Sequence, residues 1–244
     1  MEAAVSTIQW SIAPLFIQDY IEFLTSYQSD LVVRTIQHIQ IIVQSIAVAV
    51  PLGVILGTVI TYNDRAATVV LWLAGIMMTI PSIALFGLLI PYFGIGQPPV
   101  IVALILYSQL PVIRNTYVGI TQVDKSAIEA GEGLGMTRIE LLRRVQLPMA
   151  LPVIMAGVRN AVVILIGIAA IGAFIGAGGL GFFIFDGISD RHVPKIVVAT
   201  VFLSILALAF DYGFANIEDG FRRRNGEEIE PALLTRFVNW VRPS

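Results

Sequence analysis

Long stretches without a single acidic or basic residue alternate with short polar breaks along this chain. No charge occurs from Thr35 through Asn63, from Ala66 through Ile113, or from Asn160 through Phe185. An α-helix needs about 20 apolar residues to cross a bilayer, so each run can cross once and the second can cross twice. The strict alternation of apolar and polar positions that marks a membrane barrel is absent from the sequence, which favours membrane-spanning helices.

Charges and turn residues divide these runs into five predicted transmembrane helices. To within several residues, they lie near 37–61, 67–93, 99–120, 150–176 and 195–217. We expect the prolines inside the spans to interrupt them, since proline removes a backbone hydrogen bond; these are Pro51, Pro81, Pro91 and Pro111. The whole chain, 1–244, is predicted to form one domain with a five-helix core at 35–220, an outer interfacial segment at 1–34 and a cytoplasmic tail at 221–244.

Composition agrees with an all-α, multi-pass membrane protein. Hydrophobic residues make up 57% of the chain and charged residues 13%, whereas a soluble domain carries about 25% charged residues. A net charge of −2 does not point to nucleic acid, and the absence of cysteine excludes disulfides and thiolate metal sites. The sequence contains no phosphate-binding loop, HExxH or GxSxG motif, so we predict no catalytic residue, metal or cofactor in this chain.

Lysine and arginine in the predicted loops set the orientation. Ten of them fall in the first loop, the third loop and the tail, against three on the opposite side: Arg34, Arg191 and Lys195. Because basic residues accumulate on the cytoplasmic side of a membrane, the segment between the third and fourth spans and the C-terminus are predicted to be cytoplasmic. The protein is therefore predicted to lie in the cell membrane (plasma or inner membrane), with its N-terminus on the outer side.

The polar segment 123–148 carries signals for two short helices. Asp124 is placed to cap a helix that begins at Lys125 and ends at Gly133 or Gly135. Its small residues would let the surface of another protein approach closely, and Glu129 supplies a fixed charge for such an interface; the small residues are Ala127, Ala130 and Gly131.

The second helix of this segment is predicted from a capping box. Thr137 stands at the N-cap position and Glu140 three residues later, an arrangement in which each side chain bonds the other residue's backbone. We expect that helix to stop before Pro148.

The spacing within this segment resembles the EAA loop of ABC-importer permeases. Glu129-Ala130-Gly131 is followed after three residues by Gly135, and after nine more by Val145-Gln146-Leu147-Pro148. Gly131 and Val145 stand where alanine and isoleucine are usual. The resemblance implies a cytoplasmic coupling helix that docks into a separate ATPase, through the residues Asp124, Ala127, Glu129, Ala130, Gly131, Gly135, Leu147 and Pro148.

Two further stretches resemble permeases of the glycine betaine, choline and carnitine class of ABC importers. They are the run from Leu147 to Arg159 and the glycine-rich Gly176-Ala177-Gly178-Gly179-Leu180-Gly181, and the resemblance covers about residues 35–220. It implies the type I ABC-importer permease fold, a second permease, an ATPase that holds ATP and Mg, and an extracytoplasmic binding protein. Phe182 departs from the class at a position that is often acidic.

Two alternatives to an osmoprotectant permease remain at this point. The solute can instead be methionine or another small molecule. If the protein is not part of an ATP-driven transporter, the chain can be a passive channel or a membrane scaffold. Neither of these would need an EAA loop.

Polar residues inside the spans and the glycine turn are candidates for the translocation pathway or gate. They are Arg114, Asn115, Arg159, Asn160, Gly178 and Gly179. A charge in the hydrocarbon region is costly, so such residues face a protein interior, line a cavity, or extend to the membrane surface. We expect Asp211 to extend to the cytoplasmic interface. The glycines form either a re-entrant turn or a tightly packed helix end.

Two polar or aromatic features are predicted at the outer membrane interface. Aromatic residues share one face of an N-terminal helix, which would lie along the interface as an anchor or contact a binding protein; they are Phe16, Tyr20, Phe23 and Tyr27. His38 is predicted to be an interfacial residue at the outer end of the first span.

Overall fold

A computed structural model describes residues 17–226, and in this range the chain is built from helices joined by short turns. Ten α-helices follow one another in the described range: α1 Ile17–Ser26, α2 Gln28–Val59, α3 Asp64–Thr79, α4 Ser82–Phe93, α5 Gln97–Thr121, α6 Lys125–Gly133, α7 Arg138–Leu141, α8 Leu147–Gly172, α9 Gly181–Asp190 and α10 Val193–Arg224. Single 3-10 turns extend α2 to Tyr62 and α8 to Ile175.

Four helices of the described range are each long and apolar enough to cross a membrane. They are α2, α5, α8 and α10, and a fifth crossing requires α3 and α4 together. These two helices meet at a bend of 99°, so the predicted span over 67–93 is interrupted at Pro81, as expected. Pro81 disfavours a helical conformation for the residue before it, and Ile80 is accordingly extended with ψ 127°.

The other prolines are accommodated within helices, contrary to prediction. Pro51, Pro91 and Pro111 lie inside α2, α4 and α5. The helix that begins at Arg138 also does not stop before Pro148, because a π-helical turn at Leu142–Gln146 connects α7 to α8. Pro148 then lies in the first turn of α8, where its missing N–H is not needed.

The core of the protein is formed where α5 packs between α2 and α8. Side chains from these helices and α4 make one buried apolar cluster that includes Ile41, Phe86, Leu104 and Leu165. Close approach of α2 to α5 depends on Gly53 and Gly57, two glycines four residues apart on one face of α2. A Cβ at Gly53 would lie 2.6 Å from Val112 Cγ1, and one at Gly57 would lie 2.5 Å from Thr116 Cβ.

The long helices extend beyond the predicted spans. Because α2 begins at Gln28, residues 28–34, which the sequence analysis placed in the outer interfacial segment, are part of the first long helix. His38 is therefore well inside α2, fully buried, with Nε2 3.1 Å from the carbonyl oxygen of Ile166, and its predicted interfacial position is wrong. At the other end α10 continues to Arg224, into the predicted tail; residues 227–244, with Arg236 and Arg242, lie outside the described range.

The aromatic face of α1 packs against the protein itself. Phe23 is buried, and its ring centroid lies 5.5 Å from that of Phe183 in α9 and 4.8 Å from that of Tyr27. Phe16 lies outside the described residues. The α1 helix is thus anchored to α9 and α10 by the side chains that the sequence assigned to the membrane interface.

Candidate functional site

The short helix α6 is capped as the sequence predicts. The carboxylate of Asp124 accepts a hydrogen bond from the backbone N–H of Ser126 at 2.8 Å. This backbone bond, followed by one from the Ser126 side chain, lowers the pKa of Asp124. The cap is therefore fully present above the ordinary pKa of an aspartate and is lost only as the pH falls through the lowered value.

The turn after α6 and the start of α7 also match prediction. Gly135 adopts a left-handed conformation, with φ 77°, and the N–H of Met136 returns to the carbonyl oxygen of Gly131 at 3.1 Å. The capping box is complete: Glu140 Oε2 accepts a bond from the N–H of Thr137 at 3.0 Å, and Thr137 Oγ1 accepts one from the N–H of Glu140 at 3.4 Å. The segment is therefore a defined turn between two capped helices.

The sequence analysis placed Gly131 on the free surface of α6. In the structure Gly131 instead faces the rest of the protein. It is buried, and a Cβ at this position would lie 2.6 Å from Leu141 Cδ1 and 3.4 Å from Met136 Sδ. The absence of a side chain at Gly131 brings α6 directly onto α7. Since α7 continues through the π-helical turn into α8, α6 packs against a helix that leads into the membrane-spanning α8 without an intervening loop.

The outward surface of this region carries two large apolar residues that the sequence analysis missed. Leu134 is 78% exposed and Ile139 is 63% exposed, and Glu129 and Ala130 of α6 are exposed as well. Exposed apolar side chains that form a contiguous patch mark a site of interaction with another protein. Their apolar character within a charged loop was the available signal. Ala127 is half-buried, as are Leu147 and Pro148 at the base of α8.

A second group of functional candidates forms an ion-pair network between α8 and α10. The guanidinium of Arg159 donates from Nε to Asp211 Oδ1 at 2.5 Å and from Nη2 to Oδ2 at 2.7 Å. Its Nη1 lies 3.6 Å from Glu218 Oε2, and Arg222 bonds the other oxygen of Glu218 at 2.8 Å. Asp211 therefore pairs with Arg159. Its position relative to the cytoplasmic interface stays a prediction.

Asn160, Arg114 and Asn115 occupy different surroundings. Asn160 is exposed next to Arg159, whereas Arg114 is exposed on α5. Asn115 bonds the carbonyl oxygen of Pro111 at 2.8 Å and packs against Gly157 of α8. The structure thus brings Asn160 together with Arg159 but does not gather all four polar candidates at one point.

The glycine turn after α8 packs tightly against the first half of α2. Gly176, Gly178 and Gly179 have positive φ angles, and Gln37 Oε1 accepts a hydrogen bond from the N–H of Gly179 at 3.2 Å. A Cβ at Gly178 would lie 2.7 Å from Gln37 Oε1, and one at Gly179 would lie 2.9 Å from His38 Nδ1. Of the two interpretations left open by the sequence, this geometry favours the tightly packed helix end.

Residues 17–226 contain no group of three or more histidine, aspartate or glutamate side chains arranged to hold a metal ion. The two arrangements of interest in this range are the capped α6–α7 segment and the ion-pair network between α8 and α10.

Comparison with known proteins identifies the family to which this chain belongs. Residues 49–223 match the family described as "Binding-protein-dependent transport system inner membrane component". The chain belongs to this family of transporter inner membrane components. The permease is 41% identical over 198 residues to the choline transport system permease protein OpuBB of Bacillus subtilis, covering 81% of this chain and 91% of the relative.

Other relatives show the same extent of similarity. The permease is 42% identical over 199 residues to the osmoprotectant import permease protein OsmW of Salmonella typhimurium, covering 80% of this chain and 93% of that one. It is also 42% identical over 200 residues to the glycine betaine/carnitine/choline transport system permease protein OpuCB of Bacillus subtilis, covering 80% and 90% of the two chains.

Solved structures share the fold of this permease. An inward-facing MetNI methionine ABC transporter matches with a TM-score of 0.66 at 22% identity, covering 78% of this chain and 96% of that one. An amino acid ABC transporter crystallised with histidines matches with a TM-score of 0.65 at 19% identity, covering 84% and 98%. The predicted type I importer permease fold is confirmed, and the chain is a multi-pass membrane subunit of an ABC importer and not an enzyme.

Proposed function

We propose that this permease carries a small quaternary ammonium osmoprotectant, such as glycine betaine, choline or carnitine, through an ATP-driven importer. The observation that carries the proposal is the identity of 41–42% to permeases named for these solutes, which extends over at least 90% of each relative. Similarity to the methionine transporter stands at 22% identity and supports the fold alone, so it does not favour methionine as the solute.

The α6–α7 segment is the proposed contact with the ATPase. Its exposed Leu134 and Ile139 would supply apolar contacts, and Glu129 would supply a charge. Buried Gly131 packs α6 against α7 and the turn that leads into α8. Closing of the ATPases on ATP would displace α6 and, through α7 and the π-helical turn, shift α8 within the membrane. ATP and Mg are bound by the ATPase, and this chain supplies no ligand to either.

The remaining parts of the proposed complex follow from the family of binding-protein-dependent transporters. A second permease, identical or homologous, completes the passage, and an extracytoplasmic binding protein delivers the solute to the outer side. The orientation that supports this arrangement has α6 and the C-terminus in the cytoplasm, as the ten basic residues on that side favour.

The substrate class is tested on the purified complex of permease and ATPase in proteoliposomes with its binding protein. ATP hydrolysis is measured with glycine betaine, choline, carnitine and methionine in turn. The proposal expects stimulation by at least one of the three quaternary ammonium solutes and none by methionine. Stimulation by methionine alone would replace the proposed solute while leaving the importer assignment in place.

A further inference from the structure

Two prolines four residues apart interrupt the backbone hydrogen bonding at the base of α8. Pro148 has no N–H to donate to the carbonyl oxygen of Arg144, and the π-helical turn lies directly before it: the N–H of Leu147 bonds the carbonyl oxygen of Leu142, five residues back. Pro152 in turn has no N–H to donate to the carbonyl oxygen of Pro148. The first turn of α8 therefore carries a carbonyl oxygen whose usual helical donor is missing.

Asn225, the residue that follows α10, supplies a donor to this carbonyl group. Its Nδ2 lies 3.4 Å from the carbonyl oxygen of Pro148 and 3.3 Å from that of Met149. The backbone N–H of Asn225 bonds carbonyl oxygens in the last turn of α10, which holds the residue against its own helix. We refer to the two bonds from the Asn225 side chain to α8 as the α8–α10 tie.

A second polar contact joins the same two helices further along. Arg159 of α8 donates to both carboxylate oxygens of Asp211 in α10. Asp211 and Asn225 are 14 positions apart in the sequence, which corresponds to about 21 Å along a helix at 1.5 Å per residue. Because contacts at two separate heights fix both the position and the angle of one helix against another, α8 and α10 are held as one unit. Loss of the tie would leave the end of α10 without its polar contact to α8.

On its other side, the base of α8 is approached by α6. A Cβ at Gly131 would lie 2.6 Å from Leu141 Cδ1 and 3.7 Å from Val145 Cγ2, so α6 packs against both α7 and the π-helical turn. The base of α8 therefore lies between the proposed ATPase contact and the end of α10.

We infer that Asn225 is a positioning residue for coupling: its side-chain amide ties the end of α10 to the base of α8, so that α10 follows α8 when the ATPases close on ATP. The inference rests on the proposed function for the contact between α6 and the ATPase. Without the tie, the base of α8 moves while the end of α10 stays behind, and less of the ATP hydrolysed results in import. Asn225 acts through the two helices, so its role is the same whichever solute is carried.

The test compares variants in proteoliposomes that contain the ATPase and the binding protein. Asn225→Ala removes the tie, and Asn216→Ala is the matched control on the same helix, because Asn216 Nδ2 bonds the carbonyl oxygen of Tyr212 in α10 itself, at 2.8 Å. Asn225→Ala combined with Pro152→Ala gives the carbonyl oxygen of Pro148 a helical donor again but does not restore the tie. Pro152→Ala alone is the reference for this double variant.

Three quantities are measured for each variant: solute molecules imported per ATP hydrolysed, retention of the ATPase on co-purification, and the unfolding temperature. We expect Asn225→Ala to lower import per ATP by about twofold to tenfold, the factor that one neutral hydrogen bond contributes to an equilibrium, while the ATPase is retained. Asn216→Ala should import as much per ATP as the native permease. The double variant should regain unfolding temperature relative to Asn225→Ala, but its import per ATP should stay low.

Four results would overturn the inference. Import per ATP that is unchanged in Asn225→Ala, or equally reduced in Asn216→Ala, would show that the tie has no part in coupling. Loss of the ATPase from Asn225→Ala would make Asn225 a docking residue. Import per ATP in the double variant that equals that of Pro152→Ala would show that Asn225 only satisfies a carbonyl group.

Failure of the proposed function gives a different result. If the native complex imports methionine and none of the quaternary ammonium solutes, the proposed solute is wrong, and import per ATP is compared among the variants with methionine. If the native complex imports a quaternary ammonium solute and Asn225→Ala imports as much per ATP, the proposed function stands and the tie is not a coupling element.

Discussion

Gly157 of α8 packs directly against Asn115 of α5 where these two helices cross. A Cβ at position 157 would lie 2.5 Å from Asn115 Cβ and 2.8 Å from the carbonyl oxygen of Pro111. One of these neighbours is backbone and cannot rotate away. At this point α5, the central helix of the core, contacts α8, the helix that follows the proposed coupling segment. A glycine here therefore determines how close these two helices lie.

Substitution of this glycine should weaken the permease through the α5–α8 contact. We expect Gly157→Ala to lower the unfolding temperature of the detergent-solubilised protein, since overpacking typically costs about 1–3 kcal/mol. The matched control is Gly167→Ala in the same helix, where an added Cβ meets nothing within 4 Å. That variant should be neutral or more stable, by up to about 1 kcal/mol from helix propensity. Equal unfolding temperatures for the two variants would contradict the close crossing.

The exposed leucine of the coupling segment should contribute to ATPase retention. Leu134→Asp replaces a 78% exposed apolar side chain that the proposal buries in the ATPase. Full burial of leucine is worth about 1.5–3 kcal/mol, so the affinity for the ATPase should fall by about tenfold to a hundredfold. Ile95→Asp changes a 75% exposed residue on the opposite side of the membrane and should leave the affinity unchanged. Co-purification at graded ATPase concentrations measures the affinity of each variant for the ATPase. An unchanged affinity of Leu134→Asp would show that Leu134 is not part of the interface.

The Arg159–Asp211 pair should show strong coupling between its two charges. Arg159→Leu or Asp211→Leu alone leaves one charge without this partner between two membrane-spanning helices, whereas the double variant removes both. We expect each single variant to lose more protein stability than the double variant, with an interaction energy of about 0.5–3 kcal/mol. Additive losses, measured by thermal unfolding of the three variants, would show that the pair does not form in the membrane.

Orientation is open to a labelling test that uses the cysteine-free chain. Ile95→Cys and Leu134→Cys place thiols at two exposed positions at opposite ends of the helical core. In intact cells, a membrane-impermeant maleimide should label position 95 and reach position 134 only after the membrane is opened. The opposite labelling pattern would place α6 outside the cytoplasm and remove its proposed contact with the ATPase.

Local signals in the sequence were sufficient for much of this architecture. Charge-free runs predict the spans because a bilayer excludes charges, and short-range capping at Asp124 and Thr137 depends on residues only two or three positions away. The break at Pro81 was predicted, but the same expectation failed at Pro51 and Pro111, because proline inside a membrane helix is sometimes accommodated and sometimes not.

Long-range contacts were beyond the reach of those signals. Pairing of Arg159 with Asp211 joins residues 52 positions apart, and burial of His38 depends on Ile166, which lies 128 positions away. The orientation of Gly131 toward Leu141 likewise depends on the angle between α6 and α7. In each case the residue type was informative, but its partner was set by how the helices pack.

The central claim is that ATP hydrolysis in a partner drives osmoprotectant import through this permease, and accumulation of labelled glycine betaine, choline and carnitine in proteoliposomes tests it most directly. The permease is reconstituted with its ATPase and binding protein, beside a Gly135→Arg variant. Residue 135 has φ 77°, a conformation that costs a side-chain-bearing residue about 1–2 kcal/mol, and arginine there also adds bulk and charge to the docking segment. We predict ATP-dependent accumulation of at least one of the three solutes by the native permease and its loss in Gly135→Arg, with membrane insertion unchanged. Absence of accumulation of all three by an ATP-hydrolysing native complex, or full accumulation by Gly135→Arg, would contradict the account.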